Sequence, residues 1–355
     1  MKDRILRLRE ELEKKGLDGI IVTQPENRRY MSGFTGSAGY LIITKNEALI
    51  ITDFRYTEQA GIQSPEYNIV RLTGGLDTWF DAAVRPLGVN KMAFDESHVS
   101  YAQYRELTKA ASAIPVELVP DAGTIEGLRT VKDADELVAL ERAVAITDEA
   151  VVAIVEEMRP GVTEREIAWR LEKYMREHGA EGLAFDTIVA SGPNGARPHH
   201  RPSNRPIQEG EPIVIDMGAK VDGYCADMTR TVCIGKPDDT FKRIYDIVLS
   251  AQLAAEATIR EGMTGGEADG IARDIIDKSG YGETFGHSLG HGIGLYVHEY
   301  PRLSKPSQDV LKNNMVFSVE PGIYVTGWGG VRIEDLVVLE NSVPRVITKA
   351  PKDLE

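Results

Sequence analysis

Two short acidic hairpins restrict this chain more than any other feature. Asp216 and Asp227 stand in IVIDMGAKVDGYCADMTRTVCIG, and Glu320 and Glu334 in VFSVEPGIYVTGWGGVRIEDLVVL. In both, apolar and β-branched runs flank turn residues, Lys220–Gly223 in the first and Thr326–Gly330 in the second, which is the pattern of a β-hairpin. A turn between Val221 and Asp222 sets Asp216 directly opposite Asp227, where Cβ atoms are about 5 Å apart and like charges repel. Glu320 and Glu334 are equidistant from Gly327, although Pro321 interrupts the ladder and the five-residue loop permits a bulge. The apolar neighbours imply half-buried strands, where that repulsion is worse. Something positive has to sit between the carboxylates, and a metal is the simplest candidate.

Between the hairpins, GHSLGHGIGLYVHEYP supplies His291. Four carboxylates and one imidazole are too many hard ligands for one small ion. They suit two ions sharing bridging carboxylates, the arrangement used to activate water. An imidazole among oxygen donors favours Mn, Co, Fe or Zn over Ca or Mg. Blander readings compete at single residues. A lone buried Asp usually caps a turn or pairs with an arginine, and Arg230 is close in sequence to Asp227. His287 and His291 have the i,i+4 spacing of a helical zinc site, but Gly286, Gly290, Gly292 and Gly294 oppose a helix, and HSLGH lacks the glutamate of HExxH. His98 and His178 have no company and read as surface or core residues; His298 and Glu299 could be a simple pair at a strand end. GFTGSAG lacks the GK[ST] ending of a phosphate loop and reads as a turn before a strand.

These residues carry a family resemblance. IDMGAKVDGYCADMTRT, GHSLGHGIGLYVHEYP, SVEPGIY and VRIEDLV resemble the successive active-site motifs of pita-bread metallopeptidases, and within them the Xaa-Pro peptidases, aminopeptidase P and prolidase. ENRRYMSGFTGSAGYLIIT and ITDFRYTEQA resemble the family's creatinase-like N-terminal domain, and SGPNGARPHHRPSNRPI the segment supplying a substrate-site histidine. The resemblance implies Asp216, Asp227, His291, Glu320 and Glu334 as ligands of two divalent metal ions, with Mn or Co first and Zn or Fe next. It implies His287, His298 and His199 around the scissile carbonyl and Arg332 beside the metal shell, with His200 a rival to His199. Small peptides with proline in the second position are the implied substrates, and a homodimer the implied assembly. FTGSAG resembles aminopeptidase P, whereas the compact length resembles prolidases; the expectation leans toward cleavage of longer peptides, with dipeptides the alternative. Creatinase, which shares the fold but works without metal, and a catalytically dead peptide-binding relative are disfavoured by the complete ligand set. Methionine aminopeptidase is disfavoured by the extra N-terminal domain and the His199 segment.

At 355 residues the chain exceeds one typical core. The resulting expectation is α/β (α+β): a small α/β domain over 1–127, then a pita-bread domain over 128–355 with a curved, mainly antiparallel sheet covered by helices. A net charge of −14, or −14 + 4 = −10 with two divalent ions, argues against nucleic acid and anionic membranes as partners. Cys225 and Cys233, eight residues apart on one extended strand, are beyond disulfide reach, which fits a reducing cytoplasm. MKDRILRLREELEKKG reads as an amphipathic helix and not a signal peptide, and no apolar run has membrane-spanning length. Helices are expected at Lys2–Lys15, Tyr56–Ala60, Asp77–Val84, Tyr101–Ala111, Ala134–Met158, Phe241–Arg260 and Ala268–Lys278. Another opens at a Thr163/Glu166 capping box. Strands are expected at Gly19–Thr23, in a Gly39–Thr52 hairpin, and at Lys91–Phe94, Thr187–Ala190 and Pro212–Met217.

Overall fold

The computed structural model describes residues 1–353. They divide into two compact units, between Arg129 and Thr130. In the first, α1 (Lys2–Lys14) leads into β1 (Gly19–Val22), α2 (Pro25–Ser32), β2 (Tyr40–Thr44), β3 (Ala48–Thr52), α3 (Thr57–Gln63) and β4 (Asn68–Arg71). Then come α4 (Leu76–Val84), β5 (Lys91–Asp95), α5 (Tyr101–Ala111), β6 (Glu117–Asp121) and α6 (Thr124–Thr130). The strands form one mixed sheet in the order β4-β3-β2-β1-β5-β6. Helix α2 lies in the segment ENRRYMS, where no helix was expected. Its markers are nonetheless present: Pro25 at the first turn and Gly33, with φ of 75°, at the C-cap. The outer strands β4 and β6 were also unread, and α6 lies where the sequence suggested only a boundary. GFTGSAG is an irregular loop running into β2, held by the buried Arg28 guanidinium, which donates to the carbonyls of Gly36 and Gly39.

The second unit opens with α7 (Ala134–Glu157) and α8 (Glu164–Glu177), both started by capping boxes, at Asp133/Glu136 and Thr163/Glu166. The chain continues through β7 (Gly182–Leu183), β8 (Ile188–Ser191), β9 (Pro212–Met217), β10 (Ala219–Val221), β11 (Tyr224–Cys225) and β12 (Met228–Cys233). Helices α9 (Asp239–Thr258) and α10 (Gly265–Lys278) precede β13 (Gly290–Gly292), β14 (Glu299–Leu303) and β15 (Val316–Val319). Strands β16 (Gly322–Val325), β17 (Gly329–Arg332), β18 (Asp335–Glu340) and β19 (Val343–Val346) complete it. Every strand pairing in this unit is antiparallel.

Strand periodicity sorts this unit's side chains into two faces. Ile213, Ile215, Met217, Met228 and Val232 join one apolar cluster with residues of α7 and α8. Val319, Ile323, Val331, Ile333 and Val337 join a second with residues of α9 and α10. The alternate positions, Asp216, Asp227, Glu320, Arg332 and Glu334, line a common cavity instead.

The first hairpin corrects the expected register. Asp222 and Gly223 form the turn, with φ of 48° and 79°, and Val221 pairs Tyr224. Asp216 therefore faces Thr229. Asp-Gly is the favoured pair for a two-residue turn, and centring it one bond too early displaced the pairing by two residues. A two-residue slip preserves the face, so both aspartates still point the same way. Gly218 sits where the ladder breaks: a Cβ there would lie 1.9 Å from the Ala226 carbonyl oxygen. In the second hairpin the register is as expected. Gly322 pairs Arg332 and Val319 pairs Asp335 about Gly327, and Pro321 splits the strand in two.

Arg230 lies on the helix-side face, away from Asp227. Its Nη2 donates to Asp335 Oδ1 at 2.7 Å and to the Ala350 carbonyl, and Nη1 to the Glu334 carbonyl at 2.6 Å. Both side chains of this ion pair are 1 % exposed. Replacing Arg230 by Met leaves Asp335 with Lys352 as its charge partner and takes a donor from the Glu334 and Ala350 carbonyls. It is expected to cost about 3 kcal/mol, the low end for breaking a buried pair, read as a lowered midpoint in urea unfolding.

Candidate metal centre

The hairpins bring their acidic residues to one wall of a cavity of about 410 Å³, lined also by His199, His287, His291, His298 and Arg332. Asp227, His291 and Glu334 are all buried, and each presents one ligand atom to a group within 4.8 Å. Glu320 completes the approach: its Oε1 is 3.3 Å from His291 Nε2, while Asp227 Oδ2 is 3.5 Å from the same nitrogen. His291 Nδ1 donates to the Gly292 carbonyl at 3.1 Å, which aims Nε2 at the carboxylates: protonated, it pairs with Glu320, and deprotonated, it would offer its lone pair to a metal. Asp216 is oriented by Arg332, whose Nη2 donates to Oδ2 at 2.6 Å. The His291 strand is extended, as its glycines required; Cβ atoms at Gly290 and Gly292 would meet the carbonyls of Ser318 and Tyr300 at 1.9 and 2.0 Å.

The donor set fits divalent metal. Asp216 Oδ1 and Glu334 Oε1 are buried and have no hydrogen-bond partner among the described residues, an expensive arrangement for carboxylates. Glu334 Oε2 accepts from Thr229 Oγ1 at 2.7 Å, so its free oxygen is held in a fixed direction. On the protein's own charges, burial and then the neighbouring carboxylates push Asp227 and Glu334 well above the usual range. Burial also raises Asp216, against the opposing charge of Arg332. Glu320 goes the other way: burial works against its ionisation, but the hydrogen bond and charge of His291 outweigh it and hold the group at about 2. Divalent cations held among these oxygens would offset the repulsion and the cost of burying the charges.

The other histidines of the cavity divide. His298 has its ring 4.4 Å from that of His291 and is pushed down to about 4, first by burial and then by His291, so it is neutral at pH 7. Glu299, its sequence neighbour, accepts from the Tyr296 N–H at 2.9 Å and pairs with the buried Lys132 at 3.4 Å. His200 is buried and bonded to Glu164 at 2.9 Å, whereas the neighbouring His199 is exposed to the cavity and close enough to influence Asp216 and His298. His287 has both nitrogens engaged, Nδ1 with the Ser288 carbonyl at 2.8 Å and Nε2 with Tyr324 Oη at 2.9 Å. Tyr324 Oη in turn accepts from Arg332 Nη1 at 2.8 Å. This makes Arg332, Tyr324 and His287 one chain ending at Asp216. Tyr324 and Thr229 were missed from sequence; their only signal was same-face spacing from Glu320 and Asp227. His98 is exposed, and His178 stacks on Tyr174 with ring centroids 3.8 Å apart.

Residues 138–341 match the model of metallopeptidase family M24, and residues 4–131 that of the creatinase/prolidase N-terminal domain. The chain belongs to family M24. Among solved structures this M24 peptidase resembles an Xaa-Pro dipeptidase from Bacillus anthracis, 45% identical with 99% of each chain covered and a TM-score of 0.96. An X-Pro aminopeptidase from Thermotoga maritima is 40% identical over 99% of each chain, with a TM-score of 0.90. An Xaa-Pro dipeptidase of Pyrococcus horikoshii is 38% identical over 100% of this chain and 99% of its own. M24 membership makes the chain a hydrolase with a creatinase-like N-terminal and a pita-bread C-terminal domain, and implies divalent metal. No helix among the described residues is long and apolar enough to cross a membrane.

Linkage gives a pH signature. With metal chelated, Asp227, Glu334 and His291 all have folded-state pKa values above their unfolded ones, so the folded state holds extra protons. Stability from such groups is lost as pH rises. The lowered His287 and His298 act oppositely, but only below about 6.5, their ordinary value. Above pH 6.5 the melting temperature in chelator is expected to fall with pH more steeply than with Mn. Asp227→Asn is expected to flatten the chelator curve while lowering metal content per chain, checked by thermal melts and elemental analysis.

Proposed function

We propose that this M24 peptidase is an Xaa-Pro dipeptidase, which revises the lean toward longer peptides drawn from FTGSAG. The observation that carries the reading is the charge layout of the cavity. Carboxylates line it, and besides Arg332, which is committed to Asp216 and Tyr324, it is lined by two further cationic side chains, Arg201 and Arg302. Neither has a side-chain ion pair or hydrogen bond among the described residues. A dipeptide is a zwitterion with both charges a few ångströms apart, and such a cavity receives its amine and its carboxylate at once. The solved and curated relatives named Xaa-Pro dipeptidase, spanning the whole chain, support the same reading. Phe185, Ile188 and Val297 add an apolar wall for the side chain and the proline ring.

Asp216, Asp227, His291, Glu320 and Glu334 would hold two divalent ions, with Mn or Co the leading choices. When bound, such ions supply a water acidic enough to be ionised near neutral pH. Glu320, ionised and beside that position, accepts the water proton and delivers it to the proline nitrogen. That nitrogen belongs to a tertiary amide and must be protonated to leave. His298, neutral at pH 7, has an N–H to donate to the oxyanion growing on the scissile carbonyl. His199 faces the same space from the opposite loop. The Ser288 carbonyl spends Nδ1 of His287, and Tyr324, itself held by Arg332, spends Nε2, so His287 orients this chain of groups and moves no proton itself. A cytoplasmic homodimer belongs to the same proposal and follows the resemblance.

The test compares an Xaa-Pro dipeptide with an Xaa-Pro-Yaa tripeptide, using chelated enzyme and enzyme reloaded with Mn or Co. Metal-dependent hydrolysis of the dipeptide with little of the tripeptide is expected; efficient tripeptide cleavage would reinstate the aminopeptidase reading. Arg302→Ala is expected to raise KM for the dipeptide about tenfold or more, with a smaller change in kcat.

A further inference from the structure

Glu164 opens helix α8 and is fully buried, with 0 % exposure, yet it touches none of the acidic cluster. Its carboxylate is the hub of the irregular segment between β8 and β9. Oε1 accepts from the Ser191 N–H, the Ser191 hydroxyl and Asn194 Nδ2, all at 2.8 Å. Oε2 accepts from His200 Nε2 at 2.9 Å, the Ser203 N–H at 3.0 Å and the Ser203 hydroxyl at 2.6 Å. One oxygen therefore holds the start of the stretch 191–203 and the other its end. Burial alone would raise this carboxyl, but the bonds from Ser203, Asn194, Ser191 and His200 hold it at about 2. Within that clasp, Pro198, His199 and Arg201 line the cavity.

We infer that Glu164 is a positioning residue for His199, and that the neighbouring His200 serves as one of the donors clasping this loop. The inference rests on His199 acting on substrate, as proposed above. A loop with little regular structure does not place an imidazole to a fraction of an ångström by itself. A single carboxylate accepting from both ends converts it into a closed ring. A neutral amide cannot replace that carboxylate: in Glu164→Gln one oxygen becomes an NH₂ group aimed at donors, and one end of the clasp is lost.

A double-mutant cycle on the full-length, Mn-loaded enzyme tests this with an Xaa-Pro dipeptide. Glu164→Gln is expected to lower kcat about 10- to 100-fold, with metal content per chain unchanged and KM moved less. In the His199→Ala background the same change is expected to cost less than about twofold, because the residue it positions is gone. Losses that multiply, or Glu164→Gln at the wild-type rate, would overturn the inference. If Glu164→Gln does not fold, Ser203→Ala, which removes one of the six bonds, enters the same cycle with a smaller expected loss and the same criteria. NMR of the imidazoles gives a readout independent of turnover. The His199 signal, assigned by its disappearance in His199→Ala, should move in Glu164→Gln; an unmoved signal would overturn the inference. If the wild type cleaves no Xaa-Pro peptide, the proposed function fails while the NMR arm still decides the role of Glu164.

Discussion

The second unit is organised around carboxylates that a protein interior does not tolerate together. Asp216, Asp227, Glu320 and Glu334 are drawn into one pocket, and two of their oxygens are buried without a partner. Isolated, such groups would be driven to protonate. Here only Glu320 is held strongly ionised by a protein partner, His291. The rest of the unit can be understood as the scaffold needed to keep these acids close until cations offset their repulsion.

That scaffold relies on strand alternation. Each strand carrying one of these acids has one face in the helix-packed core and the other toward the cavity, so adjacent residues carry opposite duties. Glu334 faces the cavity, while Asp335 turns to the helix side and pairs with Arg230 and Lys352 at 2.7 Å each. Arg230 also donates to the Glu334 carbonyl, tying the first hairpin to the cavity-facing acid of the second. Thr229 does the same on the cavity side, donating to Glu334 and accepting from Arg332 Nε at 2.9 Å. The two hairpins are thus cross-linked on both faces.

The cavity histidines His199, His287 and His298 lack such strands and use buried charges as anchors. Glu164 clasps the His199 loop. Arg273, paired with the buried Asp269, donates to the carbonyls of Phe285 and His287 at 2.9 and 2.7 Å, while Asp269 accepts from the Leu289 N–H. Lys132 and Glu299 hold the segment on which His298 sits. Each anchor is distant in sequence from at least one group it restrains. That explains why these residues carried no signal of their own in a linear reading.

Local chemistry was legible where the period of a strand or a cap carried it. The antiparallel hairpins, the extended segment around His291, the Thr163/Glu166 capping box and the register about Gly327 all follow from short-range rules, and the acidic pairs announced a cation before any fold was known. A one-bond error at Asp222 and Gly223 misplaced the partner of Asp216 yet kept its face, since side chains repeat every two residues. Helix α2, the outer strands β4 and β6, and α6 were not read, because their patterns are short and gain stability from the elements beside them. Which nitrogen of His287 is spent, why His200 and not His199 is buried, and where Arg230 finds its partner were decided only by tertiary structure. Those are contacts between residues up to 121 positions apart, and a linear pattern holds no information on which distant donor reaches which acceptor once the chain has closed around them.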